Sequence, residues 1–341
     1  MSNANVHKNF TACGDKEANA LLTEVLREIG EVLAGTALSV YLGGSYGRGD
    51  GGVRLDRENG ILYNDLDFFV FAQESSAEDE KLLKEISEKY EEKLKVDVDF
   101  SRIMTVCDIR KNEKRLMLQE LKRGYCLVCG EDLLEKYLPA LPAEELPFSE
   151  VCRLLLNRGM GLLLAGEKIS QNSPDTDFIL RNLYKAVLGA GDAVLIAGGK
   201  YRWHIAERLN WIEETDLSAD WKKLYREAVA FKSSPNRHTH ENMTDFWNGV
   251  RDFFCEMLLE CAGKGDLRSN LYKRCCQSGE VSLKNFVKYS LKSHTLPLGD
   301  WKIYTMPATA VLLEDVYAAL KIMPEKIDKN SKLYQRWLIF N

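Results

Sequence analysis

Apolar residues recur at helical spacing between Asp15 and Ala34, where Leu21, Leu22, Val25, Ile29, Val32 and Leu33 form one stripe. That repeat predicts an amphipathic helix. Thr36 to Leu42 is a short β-prone run that ends on Gly43 and Gly44, and six glycines fall between 43 and 52. Ile61 to Phe71 alternates apolar and polar positions and reads as a strand, as does LKVDVDF at 94 to 100. Between them Asp79 to Glu92 has the pattern of a charged amphipathic helix. A helix over Lys111 to Lys122 and a strand in YCLVC complete an alternating first segment of about 140 residues, which predicts a mixed sheet with helices packed on it.

Pro139, Pro142 and Pro147 then mark a change of pattern. Beyond them Ser149 to Leu164, Phe178 to Ala197, Asp220 to Phe231 and Met243 to Ala262 all keep helical periodicity. The aromatic and Met positions of the last of these, in FWNGVRDFFCEML, read as core packing. The final 75 or so residues are less regular, with one clear helix from Thr309 to Lys321. The expected class is α+β. Its divisions are 1–140, a helical 147–265 and a C-terminal helical extension at 266–341.

Composition narrows the partners. A net charge of -5 with no basic stripe argues against a nucleic-acid partner and points to a small molecule or protein. The amino terminus is polar, without a signal segment, and no stretch is apolar enough to span a bilayer, so no membrane partner is expected. Nine scattered cysteines fit reduced thiols and a cytoplasmic location. The CLVC pair at 126 and 129 lacks a second CxxC, so buried or idle thiols are expected there rather than zinc. His238, His240 and Glu241 likewise read as a solvated loop before a helix.

The chemistry concentrates between 41 and 100. Gly47, Gly49 and Gly52 spell GxGxxG, but VRLDRENG is turn-rich and feeds a strand, which a dinucleotide-binding turn does not do. No GxxxxGK[ST] string is present, and the partner motifs of a protein kinase are missing. A strand ending in Gly43-Gly44-Ser45 lets backbone approach a ligand without Cβ obstruction, with the Ser45 hydroxyl and the amides of the turn available to an anion. Arg48 follows three residues later. In a strand Asp65 and Asp67 project from one face, about 7 Å apart, and two such carboxylates repel unless a cation lies between them. Asp97 and Asp99 share a face in the same way, opposite Val96, Val98 and Phe100.

GGS, then DLD in a strand, then VDVDF in a later strand resembles the DNA polymerase β-type nucleotidyltransferase superfamily. The order and flanking residues are most similar to the branch that modifies aminoglycoside and lincosamide antibiotics. The resemblance covers about residues 36 to 101, with weaker helical similarity to about 265. It implies a nucleotidyltransferase fold completed by a helical domain. It also implies metal-dependent transfer of NMP, AMP foremost, from an NTP to a hydroxyl of a small acceptor, with release of pyrophosphate. Two Mg²⁺ ions would be held by Asp65, Asp67 and Asp97, with Asp97 preferred to Asp99 as the third acid. Gly44, Ser45 and Arg48 would grip the phosphates. One departure stands out: nineteen residues, 46 to 64, separate Ser45 from Asp65, and 53–64 reads as an extra hairpin turning at Glu58-Asn59-Gly60.

Within the helix that begins near Phe178, Arg181, Lys185 and Asp192 fall within about 40° of one another around the axis. Two readings stand for this stripe. In one, Arg181 and Lys185 bind phosphate and Asp192, near the position of a general base in the resembled enzymes, serves the acceptor; Gly189 and Gly191 would allow a close approach. In the other it is an ordinary polar helix face. Lys232 is a further phosphate candidate. The alternatives to small-molecule transfer are AMP transfer to a protein partner, template-free addition to RNA, and a nucleotide-binding regulatory module without transferase activity.

Overall fold

The computed structural model describes residues 9–57, 60–73, 76–235, 240, 242–294, 300–322 and 330–340. Its class is α+β. The chain divides into two compact units. The first holds the described residues through Pro142, Trp203–Ile205, and the stretch from Val229 to 235; the second holds Ala143–Arg202, Ala206–Ala228 and the described residues from 240 onward.

In the first unit α1 (Lys16–Val32) starts at Asp15, whose carboxylate accepts the Ala18 amide. β1 (Ser39–Leu42) leads directly into a five-residue helix, α2 (Gly44–Arg48). β2 (Leu66–Phe71) begins five residues later than its apolar alternation does. α3 (Ala77–Leu94) opens with a capping box between Ser76 and Asp79 and ends at Lys95, which takes a left-handed conformation. That turn shortens the next strand, β3, to Val98–Phe100. The single helix expected over Lys111 to Lys122 is two, α4 (Val106–Lys111) and α5 (Leu116–Arg123). Buried Gln119 supports the break: its amide donates to the carbonyls of Glu113 (2.6 Å) and Pro139 (3.0 Å), and its oxygen accepts the Leu141 amide (2.9 Å). β4 (Cys126–Cys129) and α6 (Leu133–Tyr137) follow.

The sheet order is β3-β2-β1-β4, antiparallel except for the parallel β2–β3 pair. One face carries Val40, Leu42, Leu66, Phe68, Val70 and Val98 and packs with residues of α1 and α3. The other carries Tyr41 and Phe71, which pack with Ile109, Leu118, Leu121, Leu133 and Leu134 from α4, α5 and α6.

The second unit is helical. α7 (Phe148–Ser170) and α8 (Thr176–Ala197) pack along one another, followed by α9 (Ile205–Glu213), α10 (Ala219–Ser233) and α11 (Met243–Ala262), with α11 packed on both α7 and α8. The start of α9 and the end of α10 belong to the first unit. The aromatic run of α11 is core, as its pattern predicts: Trp247, Phe253 and Phe254 are buried. The C-terminal region is more regular than its sequence suggests, with α12 (Leu267–Gln277), α13 (Leu283–Ser293), α14 (Ala308–Ile322) and α15 (Lys332–Phe340). The stretch from 266 onward, expected as a separate extension, clusters with the helical unit, and α14 packs along α7. No described helix is long and apolar enough to cross a membrane.

Candidate functional site

Alternation along β2 decides where its acid points. Leu66, Phe68 and Val70 enter the core under α1 and α3, so Asp67 projects on the opposite face, the one Phe69 and Phe71 occupy farther along. β3 repeats the pattern, because Val98 is buried and Phe100 stacks on Phe68 with ring centroids 4.7 Å apart, which turns Asp99 to the side of Asp67. The parallel register sets Asp67 beside Asp99. One step earlier the Leu66 amide donates to the Asp97 carbonyl at 2.9 Å, which brings Asp97 level with the residue before the strand, Asp65.

The register therefore lines up four aspartates at the ends of two adjacent strands. Partial loss of hydration first, and then the charges of Asp65 and Asp97, raise the pKa of exposed Asp99 above the usual aspartate value. The sequence favours Asp97 as the third acid, whereas the register makes Asp99 the neighbour of Asp67. Hard carboxylate oxygens of this kind suit a divalent cation such as Mg²⁺. Among the described residues, no three His, Cys, Asp or Glu side chains are drawn together tightly enough to clasp an ion as they stand. The donor chemistry fits the metal, and the remaining oxygens would come from water or a phosphate.

The glycine turn abuts this cluster. The Gly43 amide donates to the Asp67 carbonyl at 2.8 Å, and Gly44 has φ +58. A Cβ at Gly44 would land on Asp67 Oδ2, so only glycine allows the turn to lie against that carboxylate. Ser45 follows in the first turn of α2, where amides have no partner inside the helix. Arg48 faces elsewhere: its Nη1 is 3.4 Å from Glu120 Oε2 of α5, and its Nε is 3.8 Å from Asp50 Oδ2. These ion pairs fasten α2 to α5 and occupy the guanidinium expected on phosphate.

The insertion forms a small hairpin stem. Val53 and Leu62 bridge antiparallel, and the Arg54 amide donates to the Ile61 carbonyl at 2.8 Å. Of its expected turn, Glu58 and Asn59 lie outside the described residues and Gly60 has φ +89. The end of α10 joins this stem. The Val53 amide donates to the Ser233 carbonyl at 3.4 Å, and Tyr63 meets Phe231 edge to face at 6.0 Å. Lys232 therefore belongs to the same unit as the carboxylates.

The α8 stripe splits. Arg181 is 3.4 Å from Asp177, and Lys185 is half-buried. Asp192 is withdrawn into the helical unit, where Arg208 Nη1 donates to its Oδ2 at 2.5 Å and the Tyr225 hydroxyl to its Oδ1 at 2.8 Å. Arg208 Nη1 also reaches the Tyr201 hydroxyl at 2.9 Å. Gly189 and Gly191 are approached by Arg158 and by the Tyr225 ring. Asp192 has both oxygens engaged and is only 7% exposed, so it does not lie on a solvent-facing polar stripe, whereas Arg181 makes the i,i+4 pair of an ordinary polar face.

All nine cysteines are free thiols. His240 stacks on Phe246 at 3.6 Å and shares a 3.1 Å hydrogen bond with the Tyr184 hydroxyl; burial lowers its pKa. His238 and Glu241 lie outside the described residues. Sequence reading passed over Tyr46, Asn64 and Glu120, whose partners lie across the fold and leave no local pattern. No family model, characterised protein or solved structure matches the chain.

Proposed function

We propose that the chain is a metal-dependent nucleotidyltransferase that moves NMP, AMP foremost, from an NTP to a hydroxyl of a small acceptor and releases pyrophosphate. The fold that carries it would be a nucleotidyltransferase domain in the first unit. One observation supports this reading above the others: Asp65, Asp67, Asp97 and Asp99 are aligned at adjacent strand ends while the Gly44 turn lies directly against Asp67. A surface acidic patch has no need of a turn in which only glycine fits.

In this reading Asp65 and Asp67 hold the divalent ions, with Asp99 or Asp97 as the third carboxylate. When bound, the ions supply charge neutralisation for the triphosphate and for the attacking and leaving oxygens. The Ser45 hydroxyl and the amides at the start of α2 donate to phosphate oxygens. The third carboxylate accepts the proton of the acceptor hydroxyl. In this reading Arg48 holds the turn in place through Asp50 and Glu120. Arg181 and Lys185 belong to the helical unit.

The test is pyrophosphate release from ATP, GTP, CTP and UTP with Mg²⁺ across a panel of hydroxylated acceptors. Asp65→Asn/Asp67→Asn is expected to lower release by about 100-fold or more with the fold intact by circular dichroism. Unchanged release in that double variant would sink the proposal. Label appearing on a protein instead of a small molecule would shift it to AMP transfer onto a protein partner.

A further inference from the structure

Tyr46 is completely buried, and a tyrosine hydroxyl in such a place ordinarily needs one hydrogen-bond partner. This one makes three, all with main chain. It donates to the Gly52 carbonyl at 2.8 Å and accepts the amides of Tyr63 (3.0 Å) and Asn64 (3.3 Å). One donor and two lone pairs are the whole capacity of a hydroxyl, so it is saturated. Asn64 closes the same ring of contacts, its Oδ1 accepting the Gly52 amide at 2.7 Å. Gly52 is the point where the chain leaves for the insertion, and 63 and 64 are where it returns, immediately before Asp65. A Cβ at Gly52 would come within 2.6 Å of the Lys232 carbonyl, so that junction has no spare room.

From these contacts we infer that Tyr46 and Asn64 are positioning residues that clamp the two ends of the 53–64 insertion and so fix Asp65 against the glycine turn. The inference rests on the nucleotidyl-transfer reading, in which Asp65 holds a divalent ion. A twelve-residue loop between a phosphate-binding turn and a metal ligand would pass its own motion to that ligand. A clamp at its base isolates the carboxylate from the loop. Tyr46 is placed for this because it sits in α2, whose first residues face Asp67, while its hydroxyl reaches the chain that enters β2. Burial above all, with a smaller push from the Asp65 charge, raises the phenol far above the usual tyrosine value. The hydroxyl therefore stays protonated and keeps donating to Gly52.

The experiment uses the full chain and Tyr46→Phe, which keeps the ring and removes only the hydroxyl half of the clamp. Mn²⁺ serves as the probe, titrated by electron paramagnetic resonance with a non-hydrolysable ATP analogue present, and backbone hydrogen exchange is followed in parallel. Faster exchange of the Asn64 amide is expected, and a smaller rise at Tyr63, whose amide keeps a 3.2 Å bond to the Gly52 carbonyl, with the β1 and β4 amides unchanged. Mn²⁺ affinity is expected to fall about 10-fold, the lower end of what loss of a ligand-orienting partner costs. Asn64→Ser should move both readouts in the same direction by less, and it replaces Tyr46→Phe if that variant fails to fold. Faster exchange at 63 and 64 with Mn²⁺ affinity held within about 2-fold overturns the clamp while leaving the transfer reading intact. Wild-type protein that takes up no Mn²⁺ overturns the transfer reading, and the clamp with it.

Discussion

A left-handed backbone at residue 44 costs glycine nothing, but it costs any other residue about 1–2 kcal/mol before packing is considered. Gly44→Ala adds a collision with the Asp67 carboxylate. It should therefore lower the melting temperature and abolish pyrophosphate release, where a surface glycine would show only the first effect. Asp99 gives the opposite combination. Its folded pKa lies above its unfolded value, so ionisation costs stability at pH above the folded pKa. That cost fades as pH falls through the folded pKa and is gone below the ordinary aspartate value of about 3.9. Asp99→Asn should accordingly be more heat-stable at pH 7, by less than about 1 kcal/mol because the carboxylate is exposed and screened. The gain should shrink as thermal scans move toward pH 3, and the same variant should transfer nucleotide more slowly. A residue whose removal stabilises the fold and slows the reaction is a hallmark of a strained functional site.

Single elements take their meaning from their partners. The run after Gly43 looks like an open loop, but α2 gives it one helical turn, and Arg48 ties that turn to α5 through Glu120. The α8 stripe looks continuous on a helical wheel, yet Asp192 is drawn inward by Arg208 of α9 and Tyr225 of α10. A buried carboxylate left without its guanidinium is costly, so Arg208→Met should lose about 3–5 kcal/mol in chemical denaturation. Replacing both partners, Arg208→Met/Asp192→Leu, should recover most of that loss, since paired removal leaves no buried charge behind. Equal loss in the single and double variants would mean that the Asp192–Arg208 contact is not what stabilises these helices.

At the scale of the whole molecule, the first unit is not one continuous stretch of chain. Residues 229–235 return to it, with Phe231 against Tyr63 and the Ser233 carbonyl on the Val53 amide. A fragment ending at Pro142 loses those contacts at the insertion stem while keeping the sheet. Its amides between 53 and 64 should exchange faster than in the full chain, while those of β1 and β2 keep most of their protection. Uniform protection across the fragment would show that the returning segment adds nothing to the stem. The Pro-rich stretch at 139–147 thus marks where the pattern changes, and the unit itself is completed by a segment about ninety residues downstream.

What the amino-acid order determined by itself is whatever stereochemistry repeats locally. Strand alternation put Asp65 with Asp67 and Asp97 with Asp99, and the 3.6-residue period found α1, α7, α8, α11 and α14, because both periodicities need only near neighbours. α12 has no clear apolar stripe, and α13 and α15 carry theirs over only 11 and 9 residues, too short a span for the period to stand out. The tertiary structure alone decided which acid stands beside Asp67, that Arg48 and Asp192 spend their charge on Glu120 and Arg208, and that Tyr46 closes the insertion. Each of these depends on a partner outside its own helix or strand, and no period in the sequence specifies the strand register, turn and helix packing that bring the two together.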